Sequence, residues 1–133
     1  MPTVDLRGIL DVPLHRFLGV ALLDEADPCA GIYLQVGENA HNNVGILHAG
    51  VVAALLDVAS YLALLPHLGP GESAVTHDAT VSLLRGVATG RRVELRGTVL
   101  RRGRTLAFLR ADATVDGELV ATAQLTKSVL QPR

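Results

Sequence analysis

Residues 45–65 form one apolar run interrupted by a single charge, Asp57. A run of that length is long enough for a helix that crosses a membrane. Three features favour a helix buried in protein instead: Asp57 stands in its middle, His48 near its start and Pro66 just past its end. An ionisable centre among small residues suits protein contact better than lipid. The helix is expected over residues 49–65. Being apolar nearly all round, it has to be enclosed by the rest of the chain. Leaving even an uncharged polar group unpaired on burial costs about 2–7 kcal/mol, so a carboxylate here has a function or a dedicated partner. On position alone, a loop cap or an Arg across an interface explains Asp57 as well as catalysis does.

The material that encloses the helix lies on both sides of it. Residues 13–18 start with Pro13 and fit a short helix. Residues 20–24 and 32–36 read as strands separated by the turn-forming Asp27-Pro28, and residues 41–45 make a polar loop that leads into the helix. Beyond it, Leu68-Gly69-Pro70-Gly71 breaks the chain. Residues 76–83, 91–102, 105–115 and 118–130 then alternate as strands. In the first of these, Ala79, Val81 and Leu83 face one way and Thr76, Asp78, Thr80 and Ser82 the other. In the second, Val93, Leu95 and Val99 oppose Arg92, Glu94, Arg96 and Thr98. Asp116-Gly117 supplies the positive φ angles of a tight hairpin, and Gly103 is read in the same way between Arg102 and Arg104. The economical solution is α+β: a curved antiparallel β-sheet wrapped around one long central helix. Exposed sheet edges and an unfinished core then call for a homo-oligomer.

At 133 residues the chain fits one domain, 1–133. Hydrophobic residues at 49% and charged residues at 19% exclude disorder. Lys and Arg number 12 against 13 Asp and Glu, which argues against a nucleic-acid partner. Cys29 is the one cysteine, so no internal disulfide forms, and a reducing, cytoplasmic setting fits. It sits beside Pro28 with no nearby His and reads as a half-buried, unreactive thiol. The first twelve residues carry Asp5 and Asp11 and no continuous apolar core, unlike a signal peptide. His41, His77 and Asp78 lack metal-ligand spacing, so no metal is expected.

The most informative segment is Asn42-Asn43-Val44-Gly45-Ile46-Leu47-His48-Ala49-Gly50, followed along the helix by Asp57. In Asn42, Gly45, His48, Gly50 and Asp57 it resembles the PaaI-type acyl-CoA thioesterases of the hotdog superfamily. Their signature is Asn, two residues, Gly, two residues, His-Gly-Gly, then an acidic residue two turns into the helix. The similarity continues at Ala74-Val75-Thr76-His77-Asp78, at Gly103-Arg104-Thr105-Leu106-Ala107-Phe108 and at Gly117-Glu118-Leu119-Val120-Ala121, and so covers most of the chain from about Gly31 onward. It implies the hotdog fold and hydrolysis of an acyl-CoA thioester without a cofactor. Asp57, Asn42, Ala49 and Thr76 are its catalytic candidates, and His48, Gly50 and Gly45 its substrate-binding ones. Where Ala49 stands, such enzymes usually have a Gly whose amide binds the thioester oxygen. Thr76 aligns with a Ser or Thr that helps to hold the attacking water, and a surface hydroxyl on a strand is the plain alternative.

Elementary chemistry accounts for the pattern. A helix N-terminus, here at Ala49 and Gly50, offers unpaired N–H groups and a positive dipole end to a developing oxyanion. Asn42 adds a side-chain donor. His48 orients the loop or the substrate, and with no adjacent Ser or Cys a triad is not indicated. Asp57 acts as a general base on water or attacks directly to form an anhydride, two routes the sequence leaves open. Ala49 and Asp57 are eight positions apart, about 12 Å along a helix, so a carbonyl at one chain's helix start needs the Asp57 of a neighbour. The resemblance implies the same shared site in a dimer or a dimer of dimers, that is, a homotetramer. Arg101, Arg102 and Arg104 read as a solvated hairpin turn or as a grip on CoA phosphates. Val51, Leu55 and Tyr61 are expected to line the acyl pocket. Two rival readings are a non-catalytic acyl-CoA-binding hotdog module and a hotdog enoyl-CoA hydratase. The intact Asn42/Asp57 pair opposes the first, and the position of His48, nine residues before Asp57, opposes the second.

Overall fold

His48 starts the long helix from just outside it. Its ring Nδ1 accepts the Gly50 N–H at 2.9 Å, so a side chain closes one of the open donors of the first turn. The computed structural model describes residues 6–132, and the acidic N-terminal stretch read above lies partly outside them. In chain order come α1 (Leu6–Leu10), α2 (Pro13–Leu18), β1 (Ala21–Leu22), β2 (Ile32–Gln35), α3 (Ala49–Leu64), β3 (Ser73–Leu83), β4 (Arg92–Arg102), β5 (Leu106–Val115) and β6 (Glu118–Leu130). Pro66 falls inside a 3-10 turn, Leu65–His67, that ends the helix. The six strands form one antiparallel sheet in the order β1-β2-β4-β5-β6-β3. This is the curved sheet around a central helix that the alternation called for.

Local details depart from the expectation for identifiable reasons. β1 keeps only two residues, because Asp24 accepts the Ala26 N–H and the chain winds into a 3-10 turn at Pro28–Ala30. Asp116 and Gly117 do adopt positive φ, at 50° and 80°. Gly103 does not, which corrects its reading as a left-handed turn residue. The β4–β5 hairpin is closed instead by the Gly103 N–H on the Leu106 carbonyl at 2.7 Å, while the Arg102 guanidinium bonds the Gly103 and Arg104 carbonyls.

The most consequential departure lies in β3. Thr76 pairs with Lys127 of β6 and Asp78 with Thr126, which leaves His77 as an extra residue, a β-bulge. Directly paired residues of antiparallel strands share a sheet face. Strict alternation places Thr76 with Asp78, Thr80 and Ser82. The bulge reverses that parity, so Thr76 shares the inner face with Ala79, Val81 and Leu83, whose partners Leu125, Ala123 and Ala121 are all buried.

α3 lies across the inner face. Leu55, Leu56, Ala59 and Leu62 are fully buried in one cluster with Leu95, Ala111, Ala113 and Leu125. Gly97 sets how closely helix and sheet approach. A methyl group there would stand 2.5 Å from the Ala59 carbonyl oxygen and 2.8 Å from the Ser60 Cα. The sheet covers only part of the helix, however. Gly50 is exposed, and Ala53, Ala54, Asp57 and Tyr61 on the same stripe are only half-buried. Full enclosure is thus not achieved by the described residues of one chain.

Because the atoms opposing Gly97 belong to helix backbone, they cannot move aside alone. Gly97→Ala is expected to destabilise the fold by about 1–3 kcal/mol, the usual cost of overpacking a core. A lower urea midpoint at unchanged slope is the expected result, and an unchanged midpoint would show that the contact is soft.

Candidate active site

Asp57 emerges from the uncovered stripe of α3 with its side chain 45% exposed, so solvent reaches it. Its Oδ1 accepts the Thr76 hydroxyl at 2.5 Å and the Lys127 ammonium at 2.7 Å, and Lys127 Nζ also donates to Thr76 Oγ1. Helix, edge strand and inner strand therefore each contribute one member of a closed polar cluster. No described residue donates to Oδ2. The expectation of a lone, buried carboxylate is corrected on both counts: the group is half-exposed, and its partner lies within its own chain.

Lys127 is the residue that sequence reasoning missed. It is 1% exposed, and its ammonium lies 5.3 Å from the centre of the Tyr61 ring, a further favourable contact for a cation. Alternation in β6 carried the signal, since Lys127 falls in step with Ala121, Ala123, Leu125 and Val129 on the buried face. A charge at that register is as conspicuous as Asp57 in its helix.

The second group of candidates surrounds the start of α3. In the loop before it, the Asn42 side-chain oxygen accepts the Val44 and Ile46 N–H groups, at 3.0 and 3.1 Å, and the Asn42 backbone N–H donates to the Ile46 carbonyl. Gly45 turns the loop at φ 79°, which a side chain would strain, and its carbonyl accepts from both the backbone and the hydroxyl of Thr89. Asn42 thus braces the loop through its oxygen, while its side-chain NH2 has no partner among the described residues.

Four N–H groups at a helix start have no acceptor inside the helix. Here the Gly50 N–H is held by the His48 ring, and those of Val51 and Val52 reach the His48 carbonyl. Only the Ala49 N–H is without an acceptor among the described residues. Gly50 also leaves room for the imidazole, whose ring atoms would stand 3.1 Å from a methyl group placed there. His48 is therefore a helix cap, and Gly50 the residue that accommodates it.

Asn42 and Ala49, the residues that carry the two open donors, line a cavity of about 280 Å³ between the first half of α3 and the sheet. Val52, Leu55, Val93, Leu95 and Val120 make its floor, with Leu83 and Leu84 at the exposed rim. Of the three expected pocket residues only Leu55 lies here. Val51 lines a shallow groove beside His48, and Tyr61 faces Lys127. Asp57 and Thr76 are absent from the lining. Within one chain the open donors and the carboxylate are separate half-sites.

The remaining candidates are engaged elsewhere. Arg102 is tied to Glu72 at 2.6 Å and to the His67 carbonyl. The Gly69 N–H, with Arg102 and Gln131, draws the Glu72 carboxyl down to about 2. Arg101 and Arg104 remain exposed at the hairpin. The His41 ring meets the Asn42 carbonyl and the His77 ring the Ser128 hydroxyl, so neither is directed at Asp78. Cys29 is half-buried, and its thiol is pushed up by burial and, secondarily, by Asp27, the opposite of an activated nucleophile.

Comparison with known proteins identifies the family. Residues 44–127, well over half of the chain, match the thioesterase superfamily. Human acyl-coenzyme A thioesterase 13 is 34% identical over 116 residues, covering 85% of this chain and 82% of its own. Among solved structures, mouse thioesterase superfamily member 2 superposes with a TM-score of 0.75 at 30% identity, over 96% of this chain and 97% of that one. A phenylacetic acid degradation-related protein of Ralstonia eutropha superposes with a TM-score of 0.75 at 28% identity, over 92% and 95%. The chain belongs to the thioesterase superfamily as a hotdog-fold thioester hydrolase.

Proposed function

We propose that the protein hydrolyses acyl-CoA thioesters in a site shared between two copies of the chain. One observation carries this reading: the unengaged donors and the half-exposed carboxylate belong to separate half-sites, about 12 Å apart along one helix. A thioester carbonyl resting on the Ala49 N–H and the Asn42 NH2 of one chain has its developing negative charge met by two donors and a helix N-terminus. The partner's Asp57 then supplies the base. Water adds to the carbonyl carbon as its proton passes to Oδ2, and the carbon–sulfur bond breaks to release CoA thiolate, which takes up the proton held on Oδ2 and so restores the carboxylate. Direct attack by Oδ2 to form an anhydride is the other route open to the same carboxylate. His48, Gly50 and Gly45 serve this site by shaping its loop and cap.

Two features support the association of copies. β3 ends the sheet with an unpaired edge, and Val75, Leu83 and Leu84 on or beside it are at least half exposed. The uncovered stripe of α3 offers Gly50, Ala53 and Ala54, small enough for a second helix to come close. A homodimer, or a dimer of such dimers, covers both. The acyl-CoA partner follows from the relatives named acyl-coenzyme A thioesterase.

Three measurements test the reading, each following CoA thiol release from a panel of acyl-CoAs. Asp57→Asn is expected to lower kcat by at least about 100-fold, the scale of losing a positioned general base, while the protein stays folded. A near wild-type rate would remove Asp57 from the mechanism. Ala49→Pro deletes one N–H at the helix position where proline fits best, so the fold is retained and kcat falls about 100- to 1,000-fold, as for the loss of an oxyanion donor. A folded, active Ala49→Pro protein would mean that the carbonyl is held elsewhere. Mixing these two inactive variants then regenerates one intact site in each mixed dimer. With free exchange about half the dimers are mixed, so activity returns to about a quarter of wild type. No recovery, with exchange verified by mass spectrometry, excludes a shared site.

A further inference from the structure

We infer that Lys127 is a positioning residue for Asp57, fixing the carboxylate so that Oδ2 alone is presented to the reacting atoms. The inference rests on the reading of Asp57 as the reactive carboxylate. Lys127 and Ser60 are the only buried polar side chains among the described residues, and Lys127 is the only charged one. Its stem rises from the inner face of β6 between Leu125 and Val129, in a register otherwise filled by Ala, Leu and Val. A buried ion pair adds little to stability over a well-packed apolar residue, because desolvation offsets most of the attraction. Stability alone does not account for a lysine here.

The hydrogen bonds indicate what does. The ammonium and the Thr76 hydroxyl both donate to Oδ1, and the ammonium also donates to Thr76 Oγ1. Two anchors on one oxygen restrict rotation about the bond that carries the carboxylate. They hold it against its own sheet and leave Oδ2 without a donor among the described residues, on a side chain that is 45% exposed. The charge-assisted bond from Lys127 is the stronger anchor. Thr76 reaches Oδ1 only because the His77 bulge brings it into register with Lys127. Lys127 neither touches the thioester nor exchanges a proton during turnover. It determines where the exchanging oxygen stands, and a misplacement of about 1 Å costs about 100-fold in rate.

Lys127→Met keeps the length and packing of the stem without its charge. The half-exposed Asp57 still has water and Thr76 as partners, so the fold is expected to survive. kcat should fall by 10- to 100-fold, on the order expected for lost positioning, while KM stays within about threefold, because substrate binding rests on Asn42, Ala49 and the cavity. Lys127→Arg, which retains a cation, should keep more of kcat than Lys127→Met. Wild-type kcat in Lys127→Met, or a rise in KM without a fall in kcat, overturns the inference, as does a Lys127→Arg enzyme no better than Lys127→Met. If Lys127→Met does not fold, judged by circular dichroism and gel filtration, Lys127→Gln is measured against the same limits. An inactive Asp57→Asn beside a fully active Lys127→Met overturns this inference alone. An active Asp57→Asn overturns the reading of Asp57 and this inference together.

Discussion

The structure depends on covering one helix that water does not tolerate. α3 is apolar on nearly every side, and the sheet covers it by bringing β4 against helix backbone at Gly97. That close approach seats Leu55, Leu56, Ala59 and Leu62 among the inner residues of β4, β5 and β6. It also fixes the height of the helix above the sheet. Asp57 can then meet Thr76 and Lys127 at hydrogen-bond distance, although the three come from sequence positions as far apart as 57 and 127. Packing and the Asp57 cluster are set by the same contact.

A sheet can cover only one side of a helix, and the side left open is where Asp57 is exposed. In the proposed mechanism the helix works as a ruler, with an open amide at its first residue and a carboxylate two turns later. Neither end is complete in isolation. The amide needs a base, and the carboxylate needs a carbonyl held in front of it. An oxyanion donor built from backbone is rigid because the helix geometry fixes it, whereas a carboxylate on a rotatable side chain needs outside anchors. The structure supplies anchors at that end only.

Much of this was legible in the sequence, and what was not has physical causes. The long helix, the late hairpins and the turn at Asp116-Gly117 follow from periodicity and turn chemistry, since each depends on local residues alone. Asp57 stood out as a charge against an apolar background. Lys127 met the same criterion on a strand, but a lysine near a chain terminus reads as solvated unless its register is counted from the buried partners around it. The extent of Asp57's exposure was hidden for a different reason: periodicity shows that a helix is apolar, but not which side the sheet reaches. Gly103 misled because Gly after Arg102 suggests a left-handed turn, while the hairpin closes through a backbone bond to Leu106 instead.

The bulge at His77 divides β3 into two phases. Before it, the even positions Ala74 and Thr76 face inward; after it, the odd positions Ala79, Val81 and Leu83 do. The strand's substitution pattern therefore inverts at a single residue, with conservative changes demanded at even numbers on one side and at odd numbers on the other. The extra residue is also a gap in any pairing of this strand with a regular one. Aligned without that gap, Thr76 moves to the outer face and a neighbour takes its place beside Asp57. In strands built this way, the length of the chain between two residues carries as much information about the active site as the residues themselves.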